Sequence, residues 1–328
     1  MAAGVLVVAE IAHGGLSLHT REVMTAGRGV ADALGEELAV LVLGEGVRRY
    51  AEDAIANGAD AAYTVEAPEL GLYQAELFLD LLEKTCRLRS PRLVLMPHSP
   101  LGCDLAPRLA YRLGSYWGAG CVGLRLDPDS GLVIQTRLIW GGKVLVDEVC
   151  QKEPAVATVR SKAYDPAARD GARTGRVEAL NLAPAAATGV RTVQRLQQAR
   201  GIADELREAE VVVSGGRGMG SAEAFDLLAE VAAVLGGAVG TSKAVVDAGW
   251  APPERQVGLS GITVAPRLYM AVGVSGASQH MVGCNKAKVI VAINKDPQAP
   301  IFQFARYGVV GEWQKVLPPL LARLKEAR

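Results

Sequence analysis

The stretch LYMAVGVSGASQHMVG, residues 268–283, decides the fold class predicted for the second half of the chain. Its apolar run Leu268–Val272 predicts a buried strand, and the small residues from Gly273 to Gly276 predict a tight turn into a short helix. Such a turn can be purely structural, with a serine capping the helix. It can also let an anionic ligand approach the backbone at the start of the helix. The stretch by itself leaves both interpretations open.

The rest of the second half alternates in the same way. Short apolar runs separated by amphipathic segments are typical of a doubly wound α/β domain with a parallel sheet. The predicted strands are Val211–Val213, Ala238–Val239, Thr263–Ala265, Tyr269–Val272 and Val289–Ile293, and the predicted helices are Ser221–Leu235 and Glu312–Lys325.

The first half shows the same alternation and then changes. Apolar β-branched runs between helices favour a parallel sheet that is buried on both faces. The predicted strands are Val5–Ala9, Leu38–Leu43, Ala61–Val65 and Leu93–Met96, and the predicted helices are Thr20–Leu34, Gly46–Asn57, Gln74–Cys86 and Asp104–Leu113. Four further runs separated by turns predict antiparallel hairpins added to this sheet. They are Cys121–Asp127, Leu132–Ile139, Lys143–Val149 and Ala155–Val159.

Residues 161–200 do not show this alternation of predicted strands and helices, and they are rich in Ala, Pro, Gly, Asp and Arg. We interpret them as the segment that crosses between two domains, with an edge strand possible within 176–193. The predicted fold is therefore α/β with two doubly wound domains. Residues 1–200 form an N-terminal domain with added antiparallel strands, and residues 201–328 form a C-terminal parallel-sheet domain.

Composition and charge argue against several classes of protein. The 35 basic and 35 acidic residues balance, which argues against a general nucleic-acid-binding surface. No apolar run reaches about 18 residues, so we expect no direct insertion into a membrane. The N-terminus has no basic residue ahead of its apolar stretch, so we expect no signal segment. Five cysteines without a CxxC pair argue against a zinc or iron–sulfur site and favour a reducing cytoplasm.

Five loops in the second half follow predicted strands and carry glycines, small hydroxyls or cations. They span residues 214–221, 240–243, 256–261, 272–283 and 293–297. Ligands of open α/β sheets bind beyond the carboxyl ends of the strands. Taken alone, the loop 214–221 fits a ligand site and an ordinary turn equally well. The loop 240–243 alone is better explained by a helix cap and a surface lysine, and 256–261 alone by an ordinary loop. Five loops at such ends together favour a nucleotide-sized ligand.

The loop SGGRGMGS, residues 214–221, shows how these alternatives compete. Its amides can form a concavity for an anion, and Arg217 can add a two-pronged donor to a phosphate. The usual dinucleotide fingerprint fails because Ser221 stands where the last glycine belongs, and no Gly-Lys-Ser/Thr follows as in a Walker loop. A solvated arginine beside a glycine-rich turn is an equally good interpretation of this loop taken alone.

Catalytic motifs do not stand out. The chain contains neither a G-x-S-x-G elbow nor an H-E-x-x-H motif, and only His280 of the four histidines lies among the candidate ligand loops. A binding or carrier role therefore competes with an enzymatic one, and we predict neither catalytic residues nor a metal site.

Several motifs of the second half closely resemble the FAD domain of the electron transfer flavoprotein alpha subunit. The matching motifs are SGGRGMGS (214–221), GTSKAVVDAGW (240–250), QVGLSG (256–261), AVGVSGASQHMVG (271–283) and VAINKDPQAPIFQFARYGVV (291–310). The first half resembles the N-terminal domain of that family mainly in its layout.

The resemblance implies an electron carrier that binds FAD and pairs with a beta subunit, which the N-terminal domain contacts. Electrons would come from flavin dehydrogenases, such as the acyl-CoA dehydrogenases of fatty acid β-oxidation. They would pass to a membrane quinone oxidoreductase or another acceptor. Two alternatives remain open, a nucleotide-dependent oxidoreductase and a nucleotide-binding module without redox function.

The resemblance also implies which residues contact FAD. They are Arg217, Ser242, Lys243, Val257, Gly258, Leu259, Ser260, Ser275, Gly276, Ala277, Ser278, Gln279, His280, Asn294, Glu312 and Trp313. Within this set, Ser260 would lie near the flavin ring and His280 near its pyrimidine edge. Ser275 and Gly276 would meet phosphate or ribityl oxygens.

This chain departs from the family at four of these positions. Lys243 stands where the family usually has arginine, and a lysine lacks the planar fork of a guanidinium group. Ser260 replaces a frequent threonine and keeps the hydroxyl. Glu312 replaces a frequent aspartate, and Ser278 stands where an aliphatic residue is usual.

Overall fold

The structure is a computed structural model, and it describes residues 3–12, 14–142, 144–166, 168–184, 189–190, 192–194 and 201–326. The chain divides into two compact units, Met1–Arg195 and Leu196–Arg328. Each unit has its own sheet and its own hydrophobic core.

The first unit contains eleven strands and four helices among the described residues. The strands are β1 (Val5–Val8), β2 (Ile11–Ala12), β3 (Gly15–Leu16), β4 (Leu38–Gly44), β5 (Ala61–Glu66), β6 (Leu93–Pro97), β7 (Trp117–Leu126), β8 (Val133–Ile139), β9 (Val144–Val149), β10 (Ala155–Val159) and β11 (Arg176–Ala179). The helices are α1 (Leu18–Leu34), α2 (Arg48–Ala56), α3 (Ala75–Arg89) and α4 (Pro100–Arg112).

Nine of these strands form one sheet in the order β11-β5-β4-β1-β6-β10-β7-β8-β9. The strands from β11 to β7 are parallel, and β8 and β9 extend the sheet in antiparallel fashion. The core side chains of α1 and α2 pack on one face, and those of α3 and α4 pack on the other. The prediction of a doubly wound domain with added antiparallel strands and an edge strand within 176–193 is confirmed.

The prediction for Ala155–Val159 is wrong in one respect. This segment is β10, which lies inside the sheet between β6 and β7 and runs parallel to both, with Val156 opposite Val94 and Trp117. All five residues of β10 are buried. An unbroken apolar run is typical of a central parallel strand, whereas a half-exposed hairpin strand would alternate.

Helix α4 begins four residues before the predicted start at Asp104. Ser99 caps the helix, because its Oγ accepts a hydrogen bond from the amide of Gly102 at 3.0 Å. Pro100 occupies the first turn, where its missing amide hydrogen costs no intrahelical bond.

The second unit contains five strands and five helices among its described residues. The strands are β12 (Val211–Gly215), β13 (Ala238–Thr241), β14 (Leu268–Val272), β15 (Val289–Asn294) and β16 (Tyr307–Val310). The helices are α5 (Ile202–Glu208), α6 (Ala224–Val234), α7 (Lys243–Asp247), α8 (Ser278–Met281) and α9 (Trp313–Glu326).

These strands form an all-parallel sheet in the order β13-β12-β14-β15-β16. After β12 the chain pairs β13 on one side and then returns to pair β14 on the other side. The strand order therefore reverses between β12 and β14, which is where open α/β sheets bind their ligands.

One prediction for this unit is wrong, and one strand was not predicted. Thr263–Ala265 is not a strand, and its apolar character comes from Val264, which is 1% exposed and donates its amide to the carbonyl of Gly283 at 2.8 Å. Conversely, the sequence did not predict β16. All four residues of β16 are exposed, so this edge strand has no periodic burial that a pattern could reveal.

Candidate functional site

Two loops meet at the reversal point of the second sheet. The amide of Gly216 donates to the carbonyl of Val272 at 2.9 Å, and the amide of Gly218 donates to the carbonyl of Gly273 at 3.1 Å. A Cβ atom at position 216 would lie only 2.1 Å from the oxygen of Gly273. Part of the glycine requirement in these loops is therefore loop–loop packing and not ligand approach.

The turn after β14 is a tight strand-to-helix turn, as predicted. Gly273 and Gly276 have φ angles of 63° and 84°, in the left-handed region that favours glycine. A Cβ atom at position 276 would lie 2.3 Å from the amide nitrogen of Ile301. The purely structural interpretation, with a serine that caps the helix, is not supported, because the N-cap residue of α8 is Ala277.

A cleft of about 450 Å³ lies beyond the carboxyl ends of β13 and β14. It brings together ten of the predicted cofactor contacts, which are Ser242, Lys243, Val257, Gly258, Leu259, Ser260, Ser275, Ala277, Gln279 and His280. Four lining residues were not predicted, namely Ala244, Asp247, Gln256 and Val274. Gln256 opens the motif QVGLSG, so its place in that loop was a signal that pointed to it.

Backbone hydrogen bonds hold the walls of this cleft together. The amide of Val257 donates to the carbonyl of Thr241 at 2.9 Å, and the amide of Leu259 donates to the carbonyl of Gln279 at 2.7 Å. The loop that begins at Gln256 is thereby tied to β13 on one side and to α8 on the other. Gly258 allows this approach, because a Cβ atom there would lie 2.9 Å from the oxygen of Gln279.

His280 lies in the wall of the cleft and is 7% exposed. Its Nε2 atom is 2.8 Å from the hydroxyl of Tyr269, and its Nδ1 atom is buried and makes no hydrogen bond of good geometry among the described residues, although the ring also interacts with the backbone of Val257. Burial lowers the pKa of His280 to about 4, so the ring is neutral at physiological pH. Burial also raises the pKa of Tyr269 well above its usual value, so its hydroxyl keeps its proton.

Lys243 and Ser242 stand at the start of α7, where the chain leaves β13. The Lys243 side chain is exposed, and no ion pair involves it among the described residues. Ser242 is the N-cap residue of α7, but its side chain makes no cap bond. The alternative that this serine serves as a helix cap is therefore not supported, and its hydroxyl remains available to a ligand.

A second, smaller cleft of about 130 Å³ follows β15. It is lined by Gly218, Gly273, Ile293, Asn294, Lys295, Gly311, Glu312, Trp313 and Gln314. Three of the predicted contacts, Asn294, Glu312 and Trp313, thus lie together and apart from the larger group.

The polar side chains that line the smaller cleft differ in whether they already have a partner within the protein. Asn294 donates from Nδ2 to the carbonyl of Val274 at 2.9 Å and accepts at Oδ1 from the amide of Asp296 at 3.0 Å, so both ends of its amide brace the protein. Glu312 pairs with Lys315 at 2.7 Å. The indole nitrogen of Trp313 is buried and has no partner within the described part of the chain.

Three predicted contacts line neither cleft. Arg217 lies exposed on the turn Arg217–Met219 that follows β12, and Ser278 is exposed at the start of α8. Gly276 is buried against Ile301.

The segment 273–277 borders both clefts, since Gly273 lines the smaller one and Val274, Ser275 and Ala277 line the larger one. An elongated ligand can therefore lie along this segment with one end in each cleft. The indole nitrogen of Trp313 leaves one buried donor without a partner, among the described residues, in the wall of the smaller cleft, as expected where a ligand group completes the bonding.

Two other classes of site are not found in the described residues. None of the helices there has the length and apolar character that a membrane span requires. No group of three or more His, Cys, Asp or Glu side chains in the described ranges has a geometry suited to a metal ion.

Comparisons with known proteins match both units. Residues 5–185 match the electron transfer flavoprotein domain, and residues 205–285 match the electron transfer flavoprotein FAD-binding domain. The electron transfer flavoprotein subunit alpha of Thermoanaerobacterium thermosaccharolyticum is 39% identical, over 98% of this chain and 98% of that protein. The subunit of the same name from Bacillus subtilis is 38% identical, over 98% and 97%.

A further relative carries a different name. Protein FixB of Rhizobium meliloti is 38% identical, over 96% of this chain and 91% of its own length. Full-length similarity at this level, together with a family match in each unit, establishes the family. The chain belongs to the electron transfer flavoprotein alpha subunit family, and its second unit carries that family's FAD-binding domain.

Proposed function

We propose that this chain is the alpha subunit of a heterodimeric electron carrier in the cytoplasm. It receives electrons from flavin dehydrogenases, such as acyl-CoA dehydrogenases, and passes them to a membrane quinone oxidoreductase or another acceptor. The convergence of the loops after β13 and β14, and of Gln256–Ser260, on the larger cleft supports this function most strongly.

In this proposal the larger cleft holds the flavin ring of FAD, and the smaller cleft holds the adenosine end. Ser260 and Lys243 face the ring, and His280 contacts its pyrimidine edge. Ser275, Ser242 and Arg217 meet the phosphate or ribityl oxygens between the two ends. The size of the larger cleft, about 450 Å³, is within the range of small-molecule and cofactor sites.

When bound, the flavin supplies the electron-accepting group, and the protein residues set how readily it accepts. Lys243 contributes an exposed positive charge that favours added negative charge by Coulomb attraction. His280 is neutral and buried, so it contributes a fixed dipole and excludes water from that side of the cleft.

The beta subunit contacts the first unit in this proposal. Large apolar side chains are exposed near the outer edge of its sheet, where β9 pairs with β8 alone among the described strands. Trp140 is 78% exposed and Leu145 is 62% exposed. Exposed apolar groups of this size are typical of a surface that another protein covers.

The decisive test is co-expression of the chain with its beta subunit, followed by denaturation of the purified complex. We expect a yellow complex that releases FAD and that an acyl-CoA dehydrogenase reduces in the presence of its acyl-CoA. A colourless complex that binds only ADP or AMP would instead favour a nucleotide-binding module without redox function. Turnover of a small substrate by the chain alone would favour the oxidoreductase.

A pair of variants tests the placement of the cofactor. Arg217→Ala removes a charged hydrogen bond worth about 1.5–3 kcal/mol, so FAD affinity should fall roughly 10- to 100-fold. Arg267→Ala is the matched control, because Arg267 precedes β14 at the opposite end of the sheet and is 80% exposed in its side chain. Equal FAD retention by both variants after dialysis would show that Arg217 is merely solvated.

A further inference from the structure

The loop from Gln256 to Ile262 closes on itself at the mouth of the larger cleft. The amide of Ile262 donates to the carbonyl of Gln256 at 2.7 Å, and the amide of Gly258 donates to the carbonyl of Ile262 at 3.2 Å. The amide of Gly261 donates to the carbonyl of Gly258 at 3.0 Å. These bonds present Leu259 and Ser260 at the exposed tip of the loop.

One side-chain hydrogen bond spans the inside of this loop. Nε2 of Gln256 donates to Oγ of Ser260 at 2.9 Å. Gln256 is 9% exposed. An isolated β-bridge between residues 241 and 256 fixes its backbone to the end of β13, so its side chain starts from a fixed position. Ser260 is exposed, and both residues line the cleft.

The direction of this bond constrains the hydroxyl. A serine hydroxyl has one hydrogen to donate and two lone pairs that accept. The side-chain amide of Gln256 donates to one lone pair of the Ser260 oxygen, so the hydrogen of the Ser260 hydroxyl must point away from Gln256. Among the residues that the structure describes, Ser260 has no other side-chain partner. The hydrogen is therefore free to point into the cleft.

We propose that Gln256 is a positioning residue that orients the Ser260 hydroxyl as a hydrogen-bond donor toward the bound cofactor. The inference rests on the proposed function and adds a residue that acts through Ser260. The cofactor group that it suits is an acceptor, such as an unprotonated ring nitrogen or a carbonyl oxygen. Because the donor is oriented before binding, it gains interaction energy with added negative charge without reorganisation.

The test compares Gln256→Glu, Ser260→Ala and the double variant in the FAD-loaded heterodimer. A carboxylate of the same length can only accept, so Gln256→Glu turns the hydroxyl hydrogen away from the cleft. We expect both single variants to lower the midpoint potential of the bound flavin and to shift its visible absorbance bands. The new negative charge of the glutamate also lowers the potential by itself, and the double variant separates the two effects.

If Gln256 acts through Ser260, the shift caused by Gln256→Glu is smaller in the Ser260→Ala background, where only the effect of the added charge remains. An equal shift from Gln256→Glu with and without that hydroxyl would overturn the inference, because it would reflect charge alone. Unchanged potential and absorbance in Gln256→Glu would overturn it as well.

A neutral variant removes the side-chain donor of Gln256 without the added charge of glutamate. Gln256→Met removes the amide donor without adding charge, and any shift that it causes should be absent in the Ser260→Ala background. A shift that persists in that background would contradict the inference. FAD content is measured first in every protein. A wild-type heterodimer without FAD contradicts the proposed function, whereas FAD-loaded variants with uncoupled shifts contradict only the role of Gln256.

Discussion

The hydroxyl of Tyr269 lies 2.8 Å from Nε2 of His280. Tyr269 belongs to β14 and His280 to α8, so this hydrogen bond joins the sheet to the wall of the larger cleft. Tyr269 is completely buried, so the bond has no competition from bulk water. The phenol is protonated, and an imidazole nitrogen is a good acceptor for its hydrogen. When the phenol donates to Nε2, the neutral imidazole carries its own hydrogen on Nδ1.

Tyr269→Phe should destabilise the protein, because it leaves Nε2 of His280 buried without this partner. The expected loss is about 1–3 kcal/mol in the free energy of unfolding, measured by denaturant titration. Tyr307→Phe is the matched control, because Tyr307 lies on the edge strand β16 and is 60% exposed. Equal stability of the two variants would show that the bond contributes nothing measurable.

The low pKa of His280 predicts a pH dependence of stability. Burial lowers this pKa from its usual 6.5 to about 4, so the unfolded chain binds a proton more readily than the folded one. His280 therefore contributes stability above pH 6.5 that is lost as the pH falls from 6.5 toward 4. The full loss amounts to about 3 kcal/mol. Denaturant titrations of wild type and His280→Gln across this range isolate the contribution, and parallel curves for the two proteins would contradict it.

Gly216→Ala should disrupt the contact between the two loops at the reversal point. The added Cβ atom would lie 2.1 Å from the oxygen of Gly273, and the neighbour is backbone that cannot rotate away. We expect a loss of about 1–3 kcal/mol, measured as a lower thermal midpoint and weaker FAD retention. Gly29→Ala is a control that should change the stability in the opposite direction. Gly29 lies inside α1 with nothing within 4 Å of an added Cβ atom, so alanine should stabilise the protein by about 0.8–1.0 kcal/mol.

Lys243→Met should make the bound flavin harder to reduce. The lost attraction of an exposed cation is worth about 0.5–1 kcal/mol, or roughly 20–40 mV for a one-electron couple. The shift should shrink as the ionic strength rises from about 0.01 M to about 1 M, because salt screens exposed charges. Lys243→Arg should keep the wild-type potential more closely. Lys288→Met, just before β15 at the far end of the sheet, should leave the potential unchanged.

Much of the fold and the site followed from local patterns in the sequence. Alternating apolar runs and amphipathic helices predicted two doubly wound domains, because a parallel strand buried on both faces needs an unbroken apolar run. The position of loops after those strands predicted where a ligand would bind, because carboxyl ends of parallel strands share one edge of the sheet. Ten of the contacts that the family resemblance implied line one cleft, and their contact with a cofactor stays a prediction.

Other features depend on residues distant in the chain, and no local pattern contains them. The apolar run Ala155–Val159 predicts a buried strand. Its position between β6 and β7 depends on which strands it pairs with, and the run itself does not specify them. The exposed strand β16 has no burial pattern at all, and it exists because its backbone pairs with β15.

The amino-acid sequence by itself determined the two α/β units, the glycine-rich turns at strand ends and the family motifs. These follow from the burial preference and backbone freedom of neighbouring residues, which are local properties. Only the tertiary structure decided that Gly216 packs against Gly273, that Tyr269 lies within hydrogen-bond distance of His280 and that Gln256 donates a hydrogen bond to Ser260. Hydrogen bonds and close contacts of this kind depend on distances of a few tenths of an ångström, which are set only when the strands and loops are packed together.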